Sequence, residues 1–274
     1  MLSPSYSISP TELWHLIGTV QTPQLIDVRR RDIYDSTPGL LPASVWHDPA
    51  EFSHWSQTLD RARRIVVACK AGKELSQFIT AELRGAGCDA AMLEGGYVAW
   101  NEAGLPLVDR ATLARFAPRR PSIWVTRRRP KIDRIACPWL IRRFIDPNAE
   151  FIYVPKDQVL AVAQQTGGIP YDIDGVEFTH EGERCSFDTI LRIYEIQDPA
   201  LDHLATIVRG ADTSRHDLSP QCGGLFAISL GLSANFPDDH EMLKHGMVIY
   251  DALYTWCRTL QAETHNWPAR AVGA

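Results

Sequence analysis

Short apolar runs alternate with helical segments along the first hundred residues, and that alternation leaves few folds open. QLIDVR (24–29) is an apolar run suited to a buried strand, and RIVVAC (64–69) is a second, β-branched and ending directly at a cysteine. AAMLEGG (90–96) supplies a third strand and a glycine turn. Residues 74–86 place Leu75, Phe78, Ile79 and Leu83 at helical spacing and stop at Gly85 and Gly87. Residues 9–18 read as a capped helix, with Ser9 before Pro10 and Glu12 three residues after Ser9. A short helix holding Trp100 follows the third strand. The pattern predicts an α/β fold, a parallel sheet with helices on both faces.

A different texture begins after an Arg- and Pro-rich stretch, DRATLARFAPRRP (109–121), which marks a boundary. SIWVTRR (122–128) and EFIYVP (150–155) are strand candidates. Residues 131–145, 156–165, 186–195, 199–209, 219–232 and 239–261 look helical, so the second half is expected to be mainly helical with a little sheet. Pro138 is expected to end or bend the first turn of the 131–145 helix, with Cys137 at the kink. The Met242, Met247, Ile249, Leu253, Trp256 and Leu260 stripe reads as core, and His240, His245 and His265 have no assigned role. The division is thus 1–108, a linker at 109–120, and 121–274.

Charge and cysteines narrow the function classes. The chain carries a net charge of −5, yet between Asp109 and Asp146 eleven Lys or Arg face three Asp. A basic strip in an acidic protein suits an anionic partner, or a solvated face. Six cysteines are scattered without a CxxC pair, which argues for reduced thiols in a cytoplasmic protein. No apolar run is long enough for a membrane span, and the N-terminus shows no secretory pattern.

The chemistry concentrates at Cys69. A cysteine between a buried strand and the start of a helix sits where backbone N–H groups converge, which favours an anion and lowers the thiol pKa. The loop runs Cys69, Lys70, Ala71, Gly72, Lys73, Glu74, Leu75, Ser76. Gly72 lets the backbone curl, the two lysines add positive charge, Glu74 subtracts some, and Ser76 can bond a free amide or the thiolate. A buried structural cysteine is the competing reading.

LIDVR (25–29), RIVVACKAGKELS (64–76) and MLEGGYVAWNEAGLPL (92–107) together resemble a single rhodanese domain over about residues 8–108. The resemblance implies a rhodanese-like sheet. It also implies a Cys69 thiolate that accepts a sulfane sulfur, holds it as a persulfide and passes it to a thiol acceptor or other nucleophile, with the loop amides stabilising the charge. Asp27 and Arg29 match the family's DxR, a loop support. Two departures stand out: PGLLPAS (38–44) lacks the family's histidine, and the loop is one residue longer than the common form. Related phosphatases and arsenate reductases need an Arg where Leu75 stands, which argues against phosphatase activity.

PSIWVTRRRPKIDRIACPWLIRRFIDPNAEFIYVP (121–155), VEFTHEGERCSFDTILRIY (176–194) and IVRGADTSRHDLSP (207–220) resemble the ChrB-type chromate-resistance domain over about 121–262. That implies a link to chromate resistance or sensing. Arg127, Arg128, Arg129, Lys131 and Arg134 offer donors for a tetrahedral dianion such as chromate, and Arg127, Arg134 and His180 are the oxyanion-binding candidates. His180, Glu181, Cys185, Asp188, Asp212, His216 and Asp217 are metal-ligand types in no established zinc spacing. No cofactor is expected, and a metal held by His180, Cys185, Asp212 or His216 is the open alternative. The leading expectation is a sulfurtransferase-type protein linked to chromate resistance or stress response, with a small sulfur donor as partner. The rival is a chromate or oxyanion sensor whose rhodanese domain only binds. A DNA-binding regulator is third, weakened by the lack of a recognisable helix-turn-helix.

Overall fold

The computed structural model describes residues 5–263; His265 lies outside them. Five parallel strands form the larger sheet: β1 (Ser7–Ile8), β2 (Gln24–Asp27), β4 (Ser44–Trp46), β5 (Ile65–Ala68) and β6 (Ala90–Leu93), in the order β1-β6-β5-β2-β4. A two-residue ribbon, β3 (Gly39–Leu40) against β7 (Val108–Asp109), runs antiparallel beside it. The helices of this part are α1 (Pro10–Leu16), α2 (Arg31–Ser36), α3 (Phe52–Trp55), α4 (Glu74–Gly85) and α5 (Gly96–Glu102). Ser9 and Glu12 close a capping box at α1, as their spacing predicts. The parallel sheet with flanking helices is the fold the alternation implies.

Because side chains alternate across a strand, β5 feeds two cores. Ile65, Val67 and Cys69 pack with Ile79 and Leu83 of α4 and with Trp55. Val66 and Ala68 face the other way, with Leu25, Ala91, Leu93, Trp14 and Trp100. Phe78 departs from its helical-spacing expectation: it points to solvent at 59% exposure, because Ile79 and Leu83 already fill the stripe of α4 that meets the sheet.

The joining stretch is not featureless, since α6 (Arg110–Phe116) occupies it with Asp109 as N-cap. Beyond lies a three-stranded parallel sheet of order β10-β8-β9, from β8 (Ile123–Arg127), β9 (Glu150–Val154) and β10 (Ile169–Pro170). Around it stand α7 (Asp133–Leu140), α8 (Val159–Thr166), α9 (Ser186–Ile193), α10 (Pro199–Asp212), α11 (Cys222–Asn235) and α12 (Asp239–Thr255). The second half is therefore mainly helical with a small sheet. Pro138 does not end α7: the helix continues to Leu140 and into a wider turn at Ile141–Ile145. Proline deprives the Arg134 carbonyl of its helical donor, and the Tyr171 hydroxyl lies 3.5 Å from that oxygen.

The two halves share one apolar body. Trp14 of α1 meets Trp100 and Phe144 edge-on, each at 6.0 Å between ring centroids. The Ala43 amide donates to the Phe144 carbonyl at 2.9 Å. Arg258 donates to the carbonyls of Trp14, His15 and Ile17 at the end of α1. Much of the basic strip is spent on such internal contacts. Arg110 reaches the Tyr34 and Thr37 carbonyls, Arg120 those of Ser44 and Ile145, and Arg143 the Asp251 carboxylate.

Candidate functional site: a cradled thiol and an acid–imidazole cluster

Cys69 follows the last residue of β5, where the carboxyl ends of β2, β5 and β6 converge, the place at which open parallel sheets bind ligands. Its Sγ lies 3.0 Å from the Ser76 hydroxyl. Burial by itself would raise the thiol pKa. The Ser76 hydroxyl and the amides of Ala71, Lys73 and Ser76 outweigh it and hold the pKa below the ordinary thiol value. These donors favour the anionic form of a mostly buried sulfur more than water favours it in an ordinary thiol.

The loop keeps this shape because its neighbours have no side chains. Gly72 has φ +63°, and a Cβ there would lie 2.5 Å from the Gly95 nitrogen. Gly96 has φ +58°, and a Cβ would lie 2.3 Å from the Cys69 carbonyl oxygen. The Tyr97 and Val98 amides then donate to the carbonyls of Cys69 and Lys70. Lys70, Lys73 and Glu74 are exposed around the mouth, Ala71 and Leu75 half-buried, Gly72 and Ser76 buried. Asp27 and Arg29 form a fully buried ion pair at 2.6 Å. The Arg29 guanidinium lies 4.3 Å from the Tyr97 ring centre and so ties β2 to α5.

In the second half, the structure brings Arg127, Arg134 and His180 together, but around carboxylates. Arg127 and Arg134 both hold Asp172 Oδ2, at 3.0 and 3.1 Å. His180 Nε2 lies 3.3 Å from Asp212, 3.5 Å from Asp172 and 3.6 Å from Asp133. The carboxylates of Asp172 and Asp212 push the His180 pKa up to about 10. Burial, with Asp212 and Asp172 nearby, pushes the Asp133 carboxyl upward. The amides of Ser186 and Phe187, at the start of α9, donate to the two Asp133 oxygens, and the Ser186 hydroxyl donates to Asp172 Oδ1. Asp172 and Ile132 both have left-handed backbones, φ +52° and +42°, a strain that frames the cluster.

Of the other candidates, Cys185 faces Asp188, Asp188 pairs with Arg209, Glu181 with Arg192, and Asp217 with Arg215. His216 packs on Phe226, 5.2 Å between ring centroids. None of these joins His180 and Asp212. Sequence reasoning passed over Asp133 and Asp172. The signal for Asp133 was a lone acid inside KIDR, within the basic strip; Asp172 gave none.

The family described as Rhodanese-like domain matches residues 9–103, and that described as ChrB, C-terminal domain, matches 124–257. Protein ChrB of Cupriavidus metallidurans is 34% identical over 133 residues, 48% of this chain and 40% of that protein, so the chain spans two-fifths of its relative's length. A rhodanese-related protein from Thermoplasma volcanium is 25% identical, with a TM-score of 0.34 over 38% of this chain and 98% of that one. A rhodanese homologue from Thermus thermophilus is 30% identical, with a TM-score of 0.29 over 34% and 99%. With the thiol loop and the parallel sheet at one end and the small sheet and helices at the other, the chain joins a rhodanese-like domain to a ChrB C-terminal domain.

Proposed function

We propose that the protein is a sulfurtransferase in which Cys69 carries a persulfide, serving chromate resistance or a related stress response. The observation that carries this reading is the Cys69 sulfur itself, ringed by the Ser76 hydroxyl and three loop amides. With thiosulfate as donor, the thiolate attacks the sulfane sulfur and the new S–S bond forms. The bond from sulfane sulfur to sulfite breaks, and sulfite leaves with the electron pair. The outer sulfur of the persulfide is then anionic, and the same donors stabilise it. A cyanide or thiolate nucleophile takes that sulfur, and the pair returns to Cys69.

The link to chromate rests on the ChrB C-terminal domain. The sensor reading has weaker support from the geometry. A tetrahedral dianion between Arg127 and Arg134 would displace Asp172 and face the Asp133 and Asp212 carboxylates. Partners are accordingly a small sulfur donor and a thiol acceptor. No helix among the described residues is long and apolar enough to cross a membrane.

Mass spectrometry after thiosulfate treatment tests the proposal. One added sulfur on Cys69, lost in Cys69→Ser together with thiosulfate-to-cyanide transfer, is the expected result. Unchanged transfer in Cys69→Ser overturns it.

A further inference from the structure

The Asp133–His180–Asp212 cluster takes no part in the sulfur chemistry. One ligand-type atom from each residue lies within 4.8 Å of the others. The His180 Nε2 contacts of 3.3 and 3.6 Å to Asp212 and Asp133 exceed the span of about 2.7–3.2 Å that N–H···O hydrogen bonds prefer. They suit donors arranged round one ion instead. With metal–ligand bonds of roughly 2.1 Å, neighbouring donors stand about 3.0 Å apart in an octahedral shell and about 3.4 Å apart in a tetrahedral one. A ring nitrogen also carries at most one proton, so Nε2 can satisfy only one of the three carboxylates gathered about it.

The geometry points to a divalent-cation site in which Asp133 and Asp212 each give a carboxylate oxygen and His180 gives Nε2. One imidazole nitrogen with two hard oxygens suits first-row divalent ions such as Mn²⁺, Fe²⁺ or Zn²⁺, and not soft thiophilic ones. The nearby thiols stay outside the set: Cys137 Sγ donates to the Oδ1 side of Asp133, and Cys185 Sγ turns to Asp188.

The surroundings fit the same assignment. Second partners orient metal ligands, and here the α9 amides fix Asp133 while Arg127, Arg134 and Ser186 fix Asp172 beside the imidazole. Charge agrees as well. Metal binding releases the ligands' protons, and in that form three carboxylates against two guanidiniums and a neutral imidazole leave one negative charge, which a divalent ion turns into one positive charge. The arginines then serve as positioning residues for Asp172. Exposure of His180 and Asp212, at 39% and 21% of their side chains, gives the ion a path to buried Asp133. Three protein ligands leave coordination positions for water or an anion.

Titration of the chelator-treated full chain with Mn²⁺, followed by electron paramagnetic resonance, and with Zn²⁺, followed by calorimetry, tests the assignment. One ion per chain is expected. Asp212→Asn and His180→Ala, each checked for an unchanged circular-dichroism spectrum, should weaken binding at least tenfold. Glu241→Gln, an exposed acid on α12 paired with Lys244, should leave binding unchanged. Absence of saturable binding of both ions by the wild type overturns the site. So does wild-type affinity in either folded ligand variant.

Discussion

Two glycines with the same backbone twist separate conformational strain from crowding at the thiol loop. Gly96 and Gly104 have φ +58° and +65°, so alanine is strained at both. At Gly104 a Cβ would meet nothing within 4 Å. At Gly96 it would lie 2.3 Å from the Cys69 carbonyl oxygen, 2.7 Å from the Gly72 nitrogen and 2.9 Å from the Ala71 nitrogen. A left-handed L-residue costs roughly 1–2 kcal/mol, and the smaller unfolded-state entropy of alanine returns about 0.4–1 kcal/mol. Gly104→Ala should therefore cost about 1 kcal/mol. Gly96→Ala adds overpacking against backbone, about 1–3 kcal/mol more, for a total of about 2–4 kcal/mol. The displaced atoms include the Ala71 amide that steadies the thiolate. Urea unfolding and the pH dependence of iodoacetamide alkylation at Cys69 measure both effects. Gly96→Ala should be the less stable of the two and should alkylate with its midpoint at higher pH, while Gly104→Ala keeps the wild-type midpoint. Equal stability losses, or equal midpoints, refute the cradle argument.

Ser76→Ala removes the hydroxyl 3.0 Å from the sulfur, and the alkylation midpoint of Cys69 should move up. A thiol pKa held low by the fold contributes stability that is complete above the ordinary thiol range and is lost as pH falls through the folded value. Ser76→Ala should shrink that contribution, so the gap between wild type and variant in urea midpoint should be wider at pH 9 than at pH 6; a gap that does not widen contradicts the assignment. Asp27→Asn leaves the Arg29 guanidinium buried without its counter-charge, in a site where NH1 already lacks a partner, and should cost about 3–5 kcal/mol. Adding Arg29→Met should recover part of that loss; a fully additive double variant would show that the pair does not act as a unit.

Strand and helix identities were legible because each long element carries its own period. The β5 run, the α4 stripe and the α1 cap are local facts of sequence, and the cysteine loop between β5 and α4 follows from them. β1 and β10, two residues each, are too short to show any period and exist through pairing with β6 and β8. The acid–imidazole cluster was only half legible. Its residues come from the start of α7, the loops holding Asp172 and His180, and the end of α10, and no spacing rule joins four segments that meet only in the folded chain. The arginines misled for a related reason: a basic run reads as a ligand surface, whereas Arg127 and Arg134 spend their charge on Asp172, a carboxylate 45 and 38 positions away.

The thiol loop and the cluster hang from one apolar body. β5 ends at Cys69, and its Val66 and Ala68 belong to the same core as Ile135, Ala136, Cys137, Trp139 and Leu140 of α7, the helix that begins at Asp133. Gly18, after α1, has room for no Cβ because the Tyr254 and Phe144 rings press on it from the other half. Arg258 stacks over Trp14 at 5.0 Å while holding the last carbonyls of α1. Aromatic side chains bury about 150–250 Å² each, so parting Trp14 from Phe144 and Tyr254 would bare an apolar patch of several hundred Å² on both sides. That is on the scale of the largest apolar patch a typical soluble monomer exposes, about 300–600 Å². The α6 segment therefore joins two parts whose faces pack on each other, and the thiol loop and the acid–imidazole cluster are carried by one shared core rather than by two beads on a string.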